Sequence, residues 1–156
     1  MDARAKAEVL LAEMAAAMGI PELAFDADGT LTLDMDDRFL VTLGVDEAAA
    51  ALILMAPILG TEGPKPKAFL EQALVGNFMW QGTLGATLAI DEASGVVVLH
   101  RRLSLDGLSL PDLEQAIEAF VNATEAWTDL ADSHAAGQGG NDPAAGQGGI
   151  RPDQFA

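Results

Sequence analysis

Cysteine is absent from the chain. Disulfides, zinc–thiolate sites and thiol catalysis are thereby excluded, and the absence fits a reducing, cytoplasmic setting. Basic residues are scarce. Eight Lys and Arg stand against 24 Asp and Glu, giving a formal net charge of −16 and a pI of about 4.1. No basic run is longer than Arg101-Arg102, so the clustered cations that phosphate backbones require are missing and nucleic acid is excluded as a partner. An anionic membrane surface is disfavoured on the same ground. Long apolar runs are lacking too: the longest, residues 48–59, is too short to cross a bilayer and is interrupted at Pro57. The first residues, MDARAKAEVLLAEMAAAMGI, carry acids throughout and have no sustained apolar h-region, so no signal peptide is expected. What the chain does have is 156 residues, half of them hydrophobic, enough for one domain with a real core. A strong negative field suits a neutral or basic partner.

The hydrophobic pattern changes period along the chain. Val9, Leu10, Leu11, Met14 and Met18 fall at near-helical spacing in an Ala-rich stretch, and Gly19 and Pro21 stop it. From residue 23 to 55 the period becomes two. Leu31, Leu33 and Met35 alternate with Thr30, Thr32 and Asp34, and Phe39, Val41, Leu43 and Val45 alternate after the polar break at Asp36-Asp37. The apolar run ALILMAPI follows a second acidic turn. A Gly/Pro loop at 60–67 precedes a short helix with Phe69, Leu70, Ala73 and Leu74 on one face. Then WQGTLGATLAIDEASGVVVLHRRLSL reads as a hairpin, with Trp80, Leu84, Ala86, Leu88 and Ile90 on one face of its first strand and DEASG as the turn. Ser109 and Asp112 form a capping-box-like S-x-x-D ahead of an amphipathic helix over residues 110–130, whose apolar face carries Leu113, Ile117, Phe120, Val121, Thr124 and Trp127. From residue 132 onward Gly, Gln, Ala and Pro dominate and AAGQGG occurs twice, so residues 132–156 are expected to be a disordered tail on a 1–131 domain. The order α-β-β-β-α-β-β-α with short links predicts an α+β fold: a mostly antiparallel twisted sheet of about five strands with three helices.

One stretch, FDADGTLTLD at 25–34, invites a chemical reading. D-x-D-G-T is the nucleophile motif of the haloacid-dehalogenase phosphatases. Such a nucleophile belongs at the carboxyl end of a buried parallel strand, yet Pro21 and Glu22 leave only three apolar residues before Asp26, and an alternating two-faced strand follows. A lysine and a magnesium site should lie near, but Lys65 and Lys67 sit in a Pro-rich loop. A calcium loop fails on spacing, because its glycine should be sixth and Gly29 is fourth counted from Asp26. Turn chemistry fits: Asp side chains bond nearby backbone and Gly29 permits positive φ. The expected turn joins residues 23–25, read as a short strand segment, to the strand that follows. His100 reads as a strand residue, His134 as the start of the tail, and Asp91-Glu92 as a solvated hairpin turn. No catalytic residue, cofactor or metal ion is expected.

Asn77-Phe78, the Gly82–Leu88 G-x-x-G-x-x-L, the apolar strand from Val96 to Leu103, and Phe120-Val121-Asn122 in a helix reaching Trp127 come in a telling order. Together they resemble the Tir-chaperone (CesT-type) family, the class I chaperones of bacterial type III secretion. The resemblance covers about residues 3–131. It implies a non-catalytic homodimer in the bacterial cytoplasm. Its partner is the N-terminal segment of a secreted effector, held extended and soluble for the secretion ATPase and export apparatus. It also implies where the partners sit. Val9, Leu10, Leu11, Met14 and Met18 divide between core and an effector groove, with Leu31 and Leu33 in the sheet that presents it. Methionines suit a surface that fits varied side chains. Phe69, Leu70, Ala73, Leu74, Phe78, Trp80, Leu84, Ala86 and Leu88 either form the dimer interface or pack within one chain, with small Ala73 and Gly76 allowing close approach. A small acidic, non-catalytic adaptor with another partner would share the fold.

Overall fold

The computed structural model describes residues 1–60 and 63–138. Helix α1 spans Ala3–Met18. The Asp2 carboxylate caps it by accepting from the Ala5 N–H at 2.7 Å, which satisfies a donor that a helix start leaves free. Gly19, at φ 68°, ends it, and the Ile20 N–H donates back to the Ala15 carbonyl at 3.1 Å, a closure that glycine makes easy. There follow strands β1 (Thr30–Met35), β2 (Phe39–Asp46) and β3 (Ala51–Leu59), helix α2 (Lys67–Asn77), a 3-10 segment (Phe78–Thr83), strands β4 (Thr87–Ile90) and β5 (Val97–Ser104), and helix α3 (Leu110–Gln138). The sheet order is β1-β2-β3-β5-β4, with every pair antiparallel. This is the α+β arrangement that the periodicities predict.

Register explains the two faces. Leu31 lies opposite Leu43 and Leu33 opposite Val41; Leu43 lies opposite Leu54, Ala56 opposite Leu99, and Leu88 opposite Leu99. Directly opposed residues share a face, so these side chains form one apolar surface. It packs with Leu11 of α1 and Leu113, Phe120 and Trp127 of α3 into a single core. The opposite face carries Thr32, Thr42, Gly44, Ile53, Met55 and His100, and Leu40 and Met55 stay exposed there. Helix α3 starts on the anticipated capping box: Asp112 N–H donates to Ser109 Oγ at 3.3 Å, and Ser109 N–H donates to Asp112 Oδ2 at 3.4 Å.

Several expectations are corrected. Residues 23–25 form no strand. The hairpin strand begins at Thr87, so Trp80, Leu84 and Ala86 lie outside it. Residues 78–83 instead form a kinked segment in which Met79 and Trp80 are not helical, and the indole N–H of Trp127 donates to its Gly82 carbonyl at 2.9 Å, tying this stretch to the core. Gly76 packs within the chain. It is buried, and a Cβ built there would lie 2.6 Å from Trp127 Cζ2. Helix α3 does not stop near residue 130. It runs to Gln138 because Leu130 and Ala131 are buried and the His134 ring meets Phe69 edge-on at 5.8 Å. Of the expected 132–156 tail, residues 139–156 lie outside the described residues.

Candidate partner-binding surface

Apolar side chains that a monomer should hide are concentrated where α2 ends. Leu74, Phe78 and Trp80 are 72%, 73% and 55% exposed, and Val75, Met79 and Ile90 beside them are also exposed. Between α2 and β4 runs a groove of about 350 Å³, lined by Leu70, Ala73, Leu74, Asn77, Leu88, Ala89, Ile90 and Val97. The backbone is strained to present this surface. Met79 and Trp80 take φ of 53° and 56°, and Leu84 takes 52°, a region that bulky residues seldom occupy. Such strain costs about 1–3 kcal/mol per residue and persists only where the surroundings enforce it. Here two hydrogen-bonded anchors do so: Trp127 to Gly82, and Trp80 Nε1–H to Thr87 Oγ1 at 3.2 Å.

The sequence-derived interface set divides across this surface. Leu74, Phe78 and Trp80 lie on it, Leu70 is half-buried at its margin, and Leu84 is half-buried in a separate groove with Arg101, Leu103 and Leu108. Phe69, Ala73, Ala86 and Leu88 are buried in the chain's own core. Phe69 meets Trp127 edge-to-face at 5.9 Å. Val75, Met79 and Ile90 were missing from that set. Apolar letters on both sides of Gly76-Asn77 in LVGNFMW were the signal for the first two, since one helical face cannot hide them all.

The groove candidates on α1 divide the same way. Leu10, Leu11 and Met14 are core residues, whereas Val9 and Met18 are exposed. Beside α1, residues 20–25 fold back to leave a groove of about 380 Å³, floored by Ala12, Ala15, Ala16 and Phe25 and edged by Glu8 and Glu22. Arg4 pairs with Glu8 at 2.9 Å and lies 5.8 Å from the centre of the Phe25 ring. Leu31 and Leu33 are half-buried on β1, at the edge of the sheet. On the open sheet face a shallow groove of about 280 Å³ runs past Thr30, Thr42, Gly44, Ile53 and Met55.

The DADGT stretch is a turn built around Asp26. Its Oδ1 accepts from the Asp28 N–H at 2.9 Å and the Thr30 N–H at 3.0 Å, and its Oδ2 from the Thr30 hydroxyl at 3.2 Å. The Thr30 N–H above all, with its hydroxyl and the Asp28 N–H, holds the Asp26 carboxyl below the usual carboxylate range. Gly29 supplies φ 80°. Both carboxylate oxygens are thus engaged in the turn, and no lysine or arginine pairs with Asp26 among the described residues.

Exposed apolar grooves thus lie around a well-packed α+β core. The chain belongs to the Tir chaperone protein (CesT) family, whose model matches residues 9–128. It is 28% identical over 130 residues to the transcriptional anti-antiactivator ExsC of Pseudomonas aeruginosa, covering 83% of this chain and 88% of that protein. A chain in the crystal structure of the ExsC–ExsE complex superposes with a TM-score of 0.70 at 27% identity, covering 84% of this chain and 97% of that one. A chain of the HopA1–SchA chaperone–effector complex superposes at 0.67 with 23% identity, covering 81% and 95% respectively.

Proposed function

We propose that this protein is a type III secretion chaperone. It binds the N-terminal segment of a cognate effector in the bacterial cytoplasm and keeps it soluble, extended and competent for export, without enzymatic activity. The observation that carries this reading is the match of most of the chain to the CesT family, joined to apolar surface left open on a stably folded core. The chain works as a homodimer through the Leu74, Phe78 and Trp80 face. That leaves the Val9 and Met18 side of α1 and the open sheet for the effector, which is then delivered to the secretion ATPase and export apparatus. Negative charge suits a neutral or basic segment. The test is capture from secreting cells with tagged full-length chain, followed by mass spectrometry and by binding of the purified chain to effector N-termini. A dimer that recovers a secreted protein through its N-terminal region supports the reading. A chain that recovers none and ignores such N-termini defeats it.

The similarity to ExsC favours a second reading, in which the chain also holds a regulator of transcription. The same capture decides it, because a cytoplasmic regulatory protein would then appear in place of, or in competition with, the secreted one.

A further inference from the structure

The groove of about 380 Å³ beside α1 is open because its floor is alanine. Ala12, Ala15 and Ala16 fill little of the space beneath residues 20–25, and Leu23 and Phe25 add apolar wall. Its two acidic edges differ. Glu8 is neutralised by Arg4 at 2.9 Å, whereas Glu22 has no ion pair among the described residues. An apolar trough with one unpaired carboxylate at its rim fits a short segment that sets bulky apolar side chains beside a single cation. The chain carries such a segment itself. Helix α3 packs against α1 and runs to Gln138, and the sequence continues beyond the described residues. Residues 139–149 are only Gly, Asn, Asp, Pro, Ala and Gln. Then comes IRPDQF at 150–155. Ile150 and Phe155 are the only large apolar residues after α3, and Arg151 is the only Lys or Arg after Arg102. Ile150 lies 12 positions beyond Gln138, a reach of up to ~40 Å at full extension, more than the ~30 Å width of a small domain.

We propose that residues 150–155 occupy the α1 groove of their own chain, as a built-in occupant that an effector segment must displace. Ile150 and Phe155 cover the alanine floor, Arg151 pairs with Glu22, and Asp153 stays in solvent. A tether of this length supplies an effective concentration on the order of millimolar, so weak contacts suffice to keep the groove filled. Filling it hides apolar surface that would otherwise invite aggregation while no effector is bound. The docking stands apart from the chaperone reading; displacement by an effector rests on that reading.

The absence of native cysteine gives a clean test. In the full chain, Ala16→Cys at an exposed position of the groove is combined with Gln154→Cys, and disulfide formation under mild oxidation is timed. Glu118→Cys, exposed on α3, combined with Gln154→Cys is the control, and circular dichroism checks that each variant is folded. The groove pair should close at least tenfold faster than the control. Arg151→Glu should slow it about fivefold, and adding Glu22→Arg to Arg151→Glu should restore the rate. Equal closure of the two pairs overturns the docking, as does a product that is a covalent dimer rather than a looped monomer, which would put the segment on a second copy. A failed rescue overturns the Arg151–Glu22 contact. In a titration, Ile150→Ser combined with Phe155→Ser should bind the effector segment recovered by capture about fivefold more tightly than wild type does. An unchanged affinity overturns the displacement. If no effector N-terminus binds either form, the chaperone reading fails, and the disulfide rates still decide the docking.

Discussion

Gly76→Ala probes the tightest joint in the structure. In an ordinary helix the change would gain up to ~1 kcal/mol, because alanine is the better helix former. At Gly76 the added Cβ would lie 2.6 Å from Trp127 Cζ2 and 3.1 Å from Cη2. Retreat is blocked on the other side, where Gly82 packs so closely that a Cβ on it would meet Gly76 Cα at 2.6 Å. Trp127 is also fixed by its bond to the Gly82 carbonyl and by the Phe69 ring. Overpacking of this kind costs ~1–3 kcal/mol, so the net expectation is a loss of about 1–2 kcal/mol. Urea unfolding followed by circular dichroism would show it as a midpoint lowered by roughly 0.5–1 M, given a slope of about 2 kcal/mol/M. Trp127→Phe removes the two clashing ring carbons, so Gly76→Ala should cost about 1 kcal/mol less in that background, a coupling a double-mutant cycle resolves. Each variant is measured at several protein concentrations, because a dimer's apparent stability depends on concentration. An unchanged midpoint, or a shift that disappears as concentration rises, would refute the intramolecular joint and return Gly76 to an interface between copies.

Val9→Asp and Met18→Asp should each leave stability within about 0.5 kcal/mol, as exposed substitutions do, yet weaken effector capture. Leu11→Ala, at a fully buried site, should cost ~2–5 kcal/mol; equal effects of the three on stability would contradict the division of α1. Phe78→Glu combined with Trp80→Ser should convert a dimer to a monomer in light scattering while the circular dichroism spectrum holds, and a persistent dimer would move the interface elsewhere. The Asp26 carboxyl is depressed in the folded chain, so its contribution is present above the unfolded-state pKa of about 4 and lost as pH falls through the folded value. Wild type should therefore lose more stability than Asp26→Asn on acidification from pH 7 to pH 3, with Asp91, held low chiefly by the Ser94 hydroxyl, retaining part of the slope in both; parallel slopes would count against the Asp26 network.

Much of this protein was legible in its sequence, because the signals are local. A period of 3.6 or two declares a helix or a strand wherever its face is covered, and the element order follows from that pattern, while the family resemblance rests on the motifs at Asn77-Phe78, Gly82–Leu88 and Phe120–Trp127. Ser109 and Asp112 cap a helix over a span of four residues, and Asp26 organises its turn over five, so both could be read without knowing what lies opposite. Tertiary structure alone decided which apolar residues are spent inside. Leu10, Leu11 and Met14 meet the sheet while Val9 and Met18 do not, a difference of angle around one helix that periodicity blurs when the stripe is wide. Gly76 faces Trp127 across 51 positions of sequence. The Asn77 side-chain amide likewise bonds the Leu88 N–H and carbonyl only because α2 is set beside the sheet edge. Packing partners distant in sequence leave no period behind, so which surface remains for a partner is a property of the folded chain.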